Sequence, residues 1–138
     1  MARTQGEAMR ILLLVVAGLA LVGFIVVAVV LPQMQSSESK AAALALIAGA
    51  APAQRQVAAA AEKAGSLAGS GKGLKLASRS DSKLGGFKWV VQDSGLIHGW
   101  NKENAIEIGL TPMLADGKLS WRCQGYPNVA MPANCGGR

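Results

Sequence analysis

The first strong pattern along the chain is a continuous apolar run at residues 11–31, which carries no charged and no strongly polar side chain. A helix of this length crosses a hydrocarbon core of about 30 Å. A cleaved secretory signal has a shorter apolar stretch and a small-residue cleavage site. A lipoprotein signal needs a nearby cysteine, and a buried core helix needs a larger protein around it. The pattern therefore favours a retained membrane helix over these three alternatives.

The cations on either side of this run predict its orientation. Arg3 and Arg10 precede it, and Lys40 is the first cation that follows it. Because positive charges beside a membrane helix tend to stay on the cytoplasmic side, we expect residues 1–10 to form a cytoplasmic leader. Residues 11–31 then cross the membrane once, and everything after them lies outside the cytoplasm.

A second helical pattern, rich in alanine and leucine, occupies residues 32–68. These residue types are strong helix formers. The simplest interpretation is one spine helix, with a membrane half and an outer half, kinked at Pro32 and Pro52. Two separate helices broken at Pro32 are the alternative. The apolar positions of the outer half approximate one face at helical spacing: Leu44, Ile47, Ala51, Ala58, Ala61 and Leu67.

The pattern changes to strands after a loop rich in glycine, serine and lysine, predicted at residues 69–86. Residues 87–138 alternate in the way that short strands do, with turn signals at residues 93–95 and at the dipeptide Asp116-Gly117. Four strands with short connections form an antiparallel meander, one face of which covers the outer helix. The predicted fold class is therefore α+β, a helical spine packed on a four-stranded antiparallel sheet.

The chain has two cysteines, Cys123 and Cys135, near its carboxyl end. Only one intramolecular pairing of two cysteines exists. Two free thiols would fit a cytosolic domain, which the predicted topology disfavours. Two thiols and the distant His98 fall short of the four ligands of a structural zinc site. We therefore predict a C-terminal disulfide loop, and neither a metal nor a cofactor.

The composition and the remaining motifs predict no enzyme. Hydrophobic residues make up 51% of the chain but aromatic residues only 4%. The segment around Lys72 lacks the spacing, the following Ser or Thr and the preceding strand of a phosphate-binding loop. His98 is the single histidine, so no nucleophile–histidine arrangement is visible. We interpret the tryptophans as sheet packing rather than a ligand box: Trp89, Trp100 and Trp121. We interpret the acids near the turns as solvated surface: Asp93, Glu103, Glu107 and Asp116.

The chain carries a net charge of +6, and part of the excess lies between residues 33 and 80, where six cations face two acids. The candidate basic patch there consists of Lys63, Lys72, Lys75 and Arg79. Such cations attract nucleic acid or anionic lipid headgroups. They also keep an alanine-rich helix from aggregating, and we favour this second interpretation over a nucleic-acid partner.

Residues 109–135 read GLTPMLADGKLSWRCQGYPNVAMPANC, with Thr-Pro, a glycine-containing hairpin, Ser-Trp-x-Cys and a closing Pro-Ala-Asn-Cys. This carboxyl end resembles that of type IVa pilins. Pro32 and Pro52 match the spacing of the prolines in many pilin spines, and the resemblance covers residues 22–138. It implies a disulfide between Cys123 and Cys135. It also implies a bacterial inner-membrane protein whose C-terminal domain is periplasmic and whose spines pack into a surface filament.

The amino end departs from that family. The glycine of the pilin cleavage junction falls at Arg10 and the conserved glutamate falls at Val15. Cutting at Gly23-Phe24 instead leaves too few residues to cross a membrane. We therefore expect an uncut chain.

Two functions follow from the resemblance. The first is a structural pilus subunit for adhesion or motility, whose partners are membrane lipid and other pilin subunits. The alternative is a membrane-retained accessory protein that binds pilins or pilus assembly proteins. A weaker alternative is a DNA-binding minor pilin that acts in uptake.

Overall fold

The computed structural model describes residues 2–137, with side chains described for residues 5–29 and 36–136. The chain divides into two compact units, Met1–Gln35 and Ser36–Arg138. The side chains of Arg3, in the predicted leader, and of Pro32, a predicted kink, lie outside the described set.

The first unit is helical. Helix α1 spans Ala2–Ile25, and a π-helical segment, Val26–Val30, follows it directly. Every side chain described in this unit is exposed, including Leu14 at 73% and Phe24 at 69%. Within the described residues, one stretch, Gln5–Val29, is long and apolar enough to cross a membrane. So much exposed apolar surface is unfavourable in water and requires lipid or protein around it.

Helix α2 spans Leu31–Ala64 and supplies one layer of the second unit. It ends where Gly65 takes a φ of +68°, a conformation that glycine adopts without steric cost. The N–H of Ser66 then donates to the carbonyl oxygen of Ala61 at 3.2 Å, which closes the last turn as a Schellman motif. Lys63 lies in that last turn, where a positive charge complements the helix dipole.

The other layer is a six-stranded sheet in which the strands follow the order of the chain. Neighbouring strands are antiparallel except the last pair, which is parallel. The strands are β1 (Arg79–Asp81), β2 (Gly85–Val91), β3 (Ile97–Asn101), β4 (Ile106–Ala115), β5 (Lys118–Tyr126) and β6 (Cys135–Gly137). A short 3-10 turn, Asn128–Ala130, lies between β5 and β6. The predicted α+β class is thus confirmed.

The predicted number of four strands is wrong, because both edge strands were missed. Strand β1 lies within the predicted loop at 69–86, and its three residues are all exposed, so they show no apolar alternation. Strand β6 is a cysteine and two glycines, with no side-chain pattern to detect. Its position beside β5 follows the pairing of Cys135 with Cys123.

The predicted hairpin at Asp116-Gly117 is confirmed. Both residues have positive φ, 52° and 75°, and they join Ala115 of β4 to its register partner Lys118 of β5. Positive φ at both central positions is what a two-residue type I′ turn requires. The turn predicted at 93–95 also forms, with the N–H of Gln92 donating to the carbonyl oxygen of Leu96 at 2.8 Å.

The core lies between α2 and one face of the sheet, and the predicted helix face is only partly the buried one. Ala61 is buried and Ile47 packs against the core, but Leu44 is 56% exposed and Leu46, outside the predicted face, is fully buried. The helix buries Ala42, Ala43, Leu46, Ala50, Ala53, Val57 and Ala61. Alanine occurs all round this helix, so sequence periodicity alone does not select a face. From the sheet, the core receives Phe87, Trp89, Ile97, Ile106, Ile108 and Leu110.

Trp89 sets the contact between the helix and the sheet. Its indole N–H donates to the carbonyl oxygen of Leu46 at 3.0 Å. A Cβ atom at Gly49 would fall within its ring, and one at Gly99, its register partner on β3, would lie 2.7 Å from its Cδ1. The two glycines therefore leave the space that this ring fills.

Candidate functional site

The C-terminal disulfide loop is built on paired strands. Cys123 on β5 and Cys135 on β6 are direct register partners, their Cα atoms are 4.5 Å apart, and their sulfur atoms are bonded. The predicted pairing is thus present. Between them the chain turns sharply, with the N–H of Ala130 donating to the carbonyl oxygen of Pro127 at 3.1 Å.

One side of the loop between Cys123 and Cys135 is buried, and its other side is exposed to solvent. Ala130 is 3% exposed and belongs to the core, whereas Val129 is 78% exposed. The disulfide therefore anchors the loop to the sheet while an apolar side chain at its tip faces solvent.

Of the two prolines predicted to kink the spine helix, Pro52 has a described side chain and Pro32 does not. Pro52 lies inside α2 and is half-buried at the edge of the helix–sheet contact. Proline has no N–H, so the carbonyl oxygen of Ala48, four residues earlier, has no helical donor there. The side chain of Pro32 lies outside the described set, and a kink at that residue stays a prediction.

Arg10 and Val15, at the positions where the pilin family has glycine and glutamate, both lie on α1 with exposed side chains. Glu7 precedes them on the same helix and is also exposed. Glu7, Arg10 and residues 11–25 of the apolar run thus belong to one helix, and Glu7 and Arg10 lie within two turns of that run.

The four cations of the candidate basic patch are all exposed but lie on different elements. Lys63 is in the last turn of α2, Lys72 and Lys75 are in the loop that follows, and Arg79 begins β1. The guanidinium carbon of Arg79 lies 6.0 Å from the centre of the Trp89 ring, a cation–π contact. The loop is fixed at Gly71, whose N–H donates to the carbonyl oxygen of Asp93 at 3.1 Å.

The three tryptophans differ in their surroundings. Trp89 is buried, and Trp121 is half-buried and packs against the same core, in line with the interpretation as sheet packing. Trp100 lies instead on the outward face of the sheet, in register with Glu107 of β4, which is in register with Tyr126 of β5. Sequence reasoning missed this row. The alternation of each strand gives the outward positions, but only the register aligns them.

Comparisons with family models, curated proteins and solved structures find no match for this chain. The fold and the site define its class: an α+β protein with, among the described residues, one candidate membrane-spanning helix, and with a mostly antiparallel sheet closed by a C-terminal disulfide.

Proposed function

We propose that the chain is a pilin-like structural subunit of a type IV pilus, held in the bacterial inner membrane by its first unit. In this proposal the N-terminus is cytoplasmic and the second unit is periplasmic until the subunit enters a filament. The observation that carries the proposal is the apolar helix, because every side chain described between residues 5 and 29 is exposed. Such a surface is stable only when it is covered by lipid or by the same helix of other copies.

The fold of the second unit also supports the proposal. A helix that immediately follows the apolar stretch buries one face under a sheet, and a disulfide fixes the carboxyl end to that sheet. This arrangement gives a rigid domain joined directly to a membrane-compatible helix, which suits a subunit that leaves the bilayer. Disulfides persist in oxidising compartments, so the bond is consistent with the periplasm or cell surface.

A second candidate function is that of a membrane-retained accessory protein that binds pilins or assembly proteins without polymerising. The residues at Arg10 and Val15 favour it, because they replace the glycine and the glutamate on which pilin processing and spine pairing depend. The proposed partners are pilin subunits in the first case, and pilins or assembly proteins in the second.

Mechanical shearing of piliated cells distinguishes the two candidate functions, a filament subunit and a membrane-retained accessory protein. The full chain, expressed in a piliated bacterial host, is followed in the sheared surface fraction and in inner membranes by mass spectrometry. A subunit is recovered in sheared fibres, and an accessory protein stays with the membranes. An inner-membrane marker must be absent from the sheared fraction, and a strain without the gene gives the background. Recovery only from the soluble cytosol would contradict both candidates.

A further inference from the structure

The outward face of the sheet contains a groove beside the turn between β3 and β4. Its larger part is a cavity of about 610 Å³ lined by His98, Trp100, Lys102, Glu107 and Tyr126, among others. A smaller part of about 260 Å³ shares His98, Glu107 and Tyr126 with it. The larger volume lies in the range that small-molecule sites occupy in proteins.

Two aromatic side chains flank this groove with a carboxylate between them. Trp100, Glu107 and Tyr126 are successive register partners on β3, β4 and β5. Neighbouring strands are about 4.8 Å apart, so the backbones that carry the two rings are roughly 10 Å apart. In the next row, Gly109 carries no side chain beside His98, and a Cβ atom there would lie 3.7 Å from its Nε2. The groove therefore continues past the row of Trp100, Glu107 and Tyr126 beside His98, where no second side chain fills it.

The polar groups of the groove are free to bind a ligand. The buried indole N–H of Trp89 is used by Leu46, but within residues 36–136 no protein partner takes the indole N–H of Trp100 or the hydroxyl of Tyr126. The carboxylate of Glu107 and the ammonium of Lys102 are likewise without a protein partner among these residues. The groove is thus lined by two aromatic side chains together with an acceptor, Glu107, and a donor, Lys102.

The buried side-chain amide of Asn101 fixes one end of the groove in place. Asn101 is fully buried, and its side-chain N–H groups donate to the carbonyl oxygens of Leu84 and Gly86 at 2.8 and 3.0 Å. Its side-chain oxygen accepts from the backbone N–H of Asn104 at 3.0 Å. The β3–β4 turn that forms one wall is therefore fixed before any ligand binds, which lowers the entropic cost of binding.

The charges of the residues that line the groove favour an uncharged ligand. Lys102 and Glu107 carry opposite charges and offset each other in the lining, although the chain as a whole carries +6. A balanced lining favours neither a polyanion nor a cationic peptide. A ligand with many hydroxyl groups uses donors and acceptors together, and its C–H faces pack on aromatic rings.

We propose that this groove binds a neutral oligosaccharide. The rings of Trp100 and Tyr126 contact two successive parts of the sugar chain, and Glu107 and Lys102 hydrogen-bond hydroxyl groups between them. This site is independent of filament formation, and it holds for either function proposed above.

Calorimetric titration of the full chain in lipid nanodiscs tests the proposal, since glycoside detergents would themselves compete. The probes are the neutral sugars cellohexaose, maltohexaose, mannohexaose and hexa-N-acetylchitohexaose, with hexalysine and hexagalacturonate as charged counterparts. We expect at least one neutral hexasaccharide to bind more tightly than both charged probes. Trp100→Ala and Tyr126→Ala should each weaken that binding about tenfold.

Two matched control variants test whether a loss of binding is specific to the aromatic rings of the groove. Tyr126→Phe keeps the ring and should retain most of the affinity. Met113→Ala removes a 43% exposed side chain from an outward position of the same strand β4, and it should leave binding unchanged. The unfolding midpoint of each variant confirms that the domain is intact. The proposal is overturned if no neutral hexasaccharide binds, if a charged probe binds best, or if binding survives both alanine substitutions.

Discussion

At the scale of single residues, Trp89 is packed between two glycines, one on the helix and one on the neighbouring strand. Gly49 and Gly99 admit the ring, and Leu46 accepts its N–H. This packing explains which face of α2 is buried, because the ring fits only where the helix has no Cβ atom. Leu44 lies away from the face that carries Gly49, and it is 56% exposed as a consequence.

We expect Gly49→Ala to destabilise the second unit by about 1–3 kcal/mol, because the new methyl group overlaps the Trp89 ring. Helix propensity alone predicts the opposite sign, a gain of about 1 kcal/mol for alanine over glycine. Chemical unfolding of the full chain, followed by tryptophan fluorescence, measures the change.

The double variant Gly49→Ala with Trp89→Phe is the control for this packing. Phenylalanine has no counterpart of the indole atoms Cζ2 and Cη2 that meet the methyl group. The cost of the alanine should therefore be smaller in the double variant than in the single one. A stabilising Gly49→Ala, or additive effects, would show that the ring does not govern this contact.

Asp81 gives the second unit a pH-dependent contribution. The backbone N–H groups of Leu84 and Lys83 donate to its carboxylate at 2.9 and 2.7 Å, and these bonds lower the pKa of Asp81 below its usual 3.8. Because the folded pKa is depressed, the contribution is complete above the unfolded value and is lost as pH falls through the folded value.

We expect Asp81→Ala to be less stable than the parent chain at pH 7, and the difference to shrink as the pH falls below about 3.8. Unfolding curves of both chains between pH 7 and about pH 2 measure it. Asp81→Asn, which retains an acceptor oxygen for the same N–H groups, should lose less stability than Asp81→Ala at pH 7. A difference that stays constant or widens in acid would be inconsistent with this assignment.

At the scale of elements, the parts of the fold with strong local patterns were predictable. Strands β2 to β5 alternate, and Asp116-Gly117 specifies its own hairpin. The edge strands were not predictable, because β1 is entirely exposed and β6 is only three residues long, and the sheet determines both. The row of Trp100, Glu107 and Tyr126 depends on register across three strands, which no single segment contains.

The disulfide should determine whether β6 remains paired. Replacing both Cys123 and Cys135 by serine releases a loop whose ends are 12 residues apart, and the chain-entropy estimate of the loss is about 3 kcal/mol. Hydrogen exchange should then rise at β6 and at Ala130 before it rises at β3.

Intact mass under non-reducing conditions checks the bond itself, since the oxidised chain is lighter by two hydrogen atoms. Alkylation of both thiols in the unreduced chain would contradict the pairing.

The basic loop tests the DNA-uptake alternative. Lys72 and Lys75 are exposed, and we interpret them as solubility residues. We therefore expect no DNA binding at low salt, and no change when both are replaced by alanine. Fluorescence anisotropy with a labelled duplex across a salt series is the measurement. Tight binding that weakens steeply with salt, with a shallower dependence in the double variant, would instead assign these lysines to phosphate contacts.

At the scale of the whole molecule, the two candidate functions differ in what happens to the charged leader. Glu7 and Arg10 lie on α1 immediately before the apolar run, and Arg3 precedes them in the sequence. In a membrane-retained protein these charges stay in cytoplasmic water. In a filament they would enter the dry bundle formed by neighbouring helices, where an unpaired charge costs at least several kcal/mol per subunit. A leader that is still attached therefore opposes polymerisation and favours the accessory candidate, whereas the resemblance to pilins favours the subunit.

We accordingly expect the chain in inner membranes to retain residues 1–10, and we expect no chain that retains them in sheared fibres. Arg10→Gly combined with Val15→Glu restores the two residue types that the resemblance places there, and in a host with a prepilin peptidase this variant should appear in fibres as a shortened chain. Val15→Glu alone should not, because it adds an unpaired carboxylate to the apolar helix while the leader remains. A shortened form of the unmodified chain in sheared fibres would refute retention, and its first residue would show where the leader is cut.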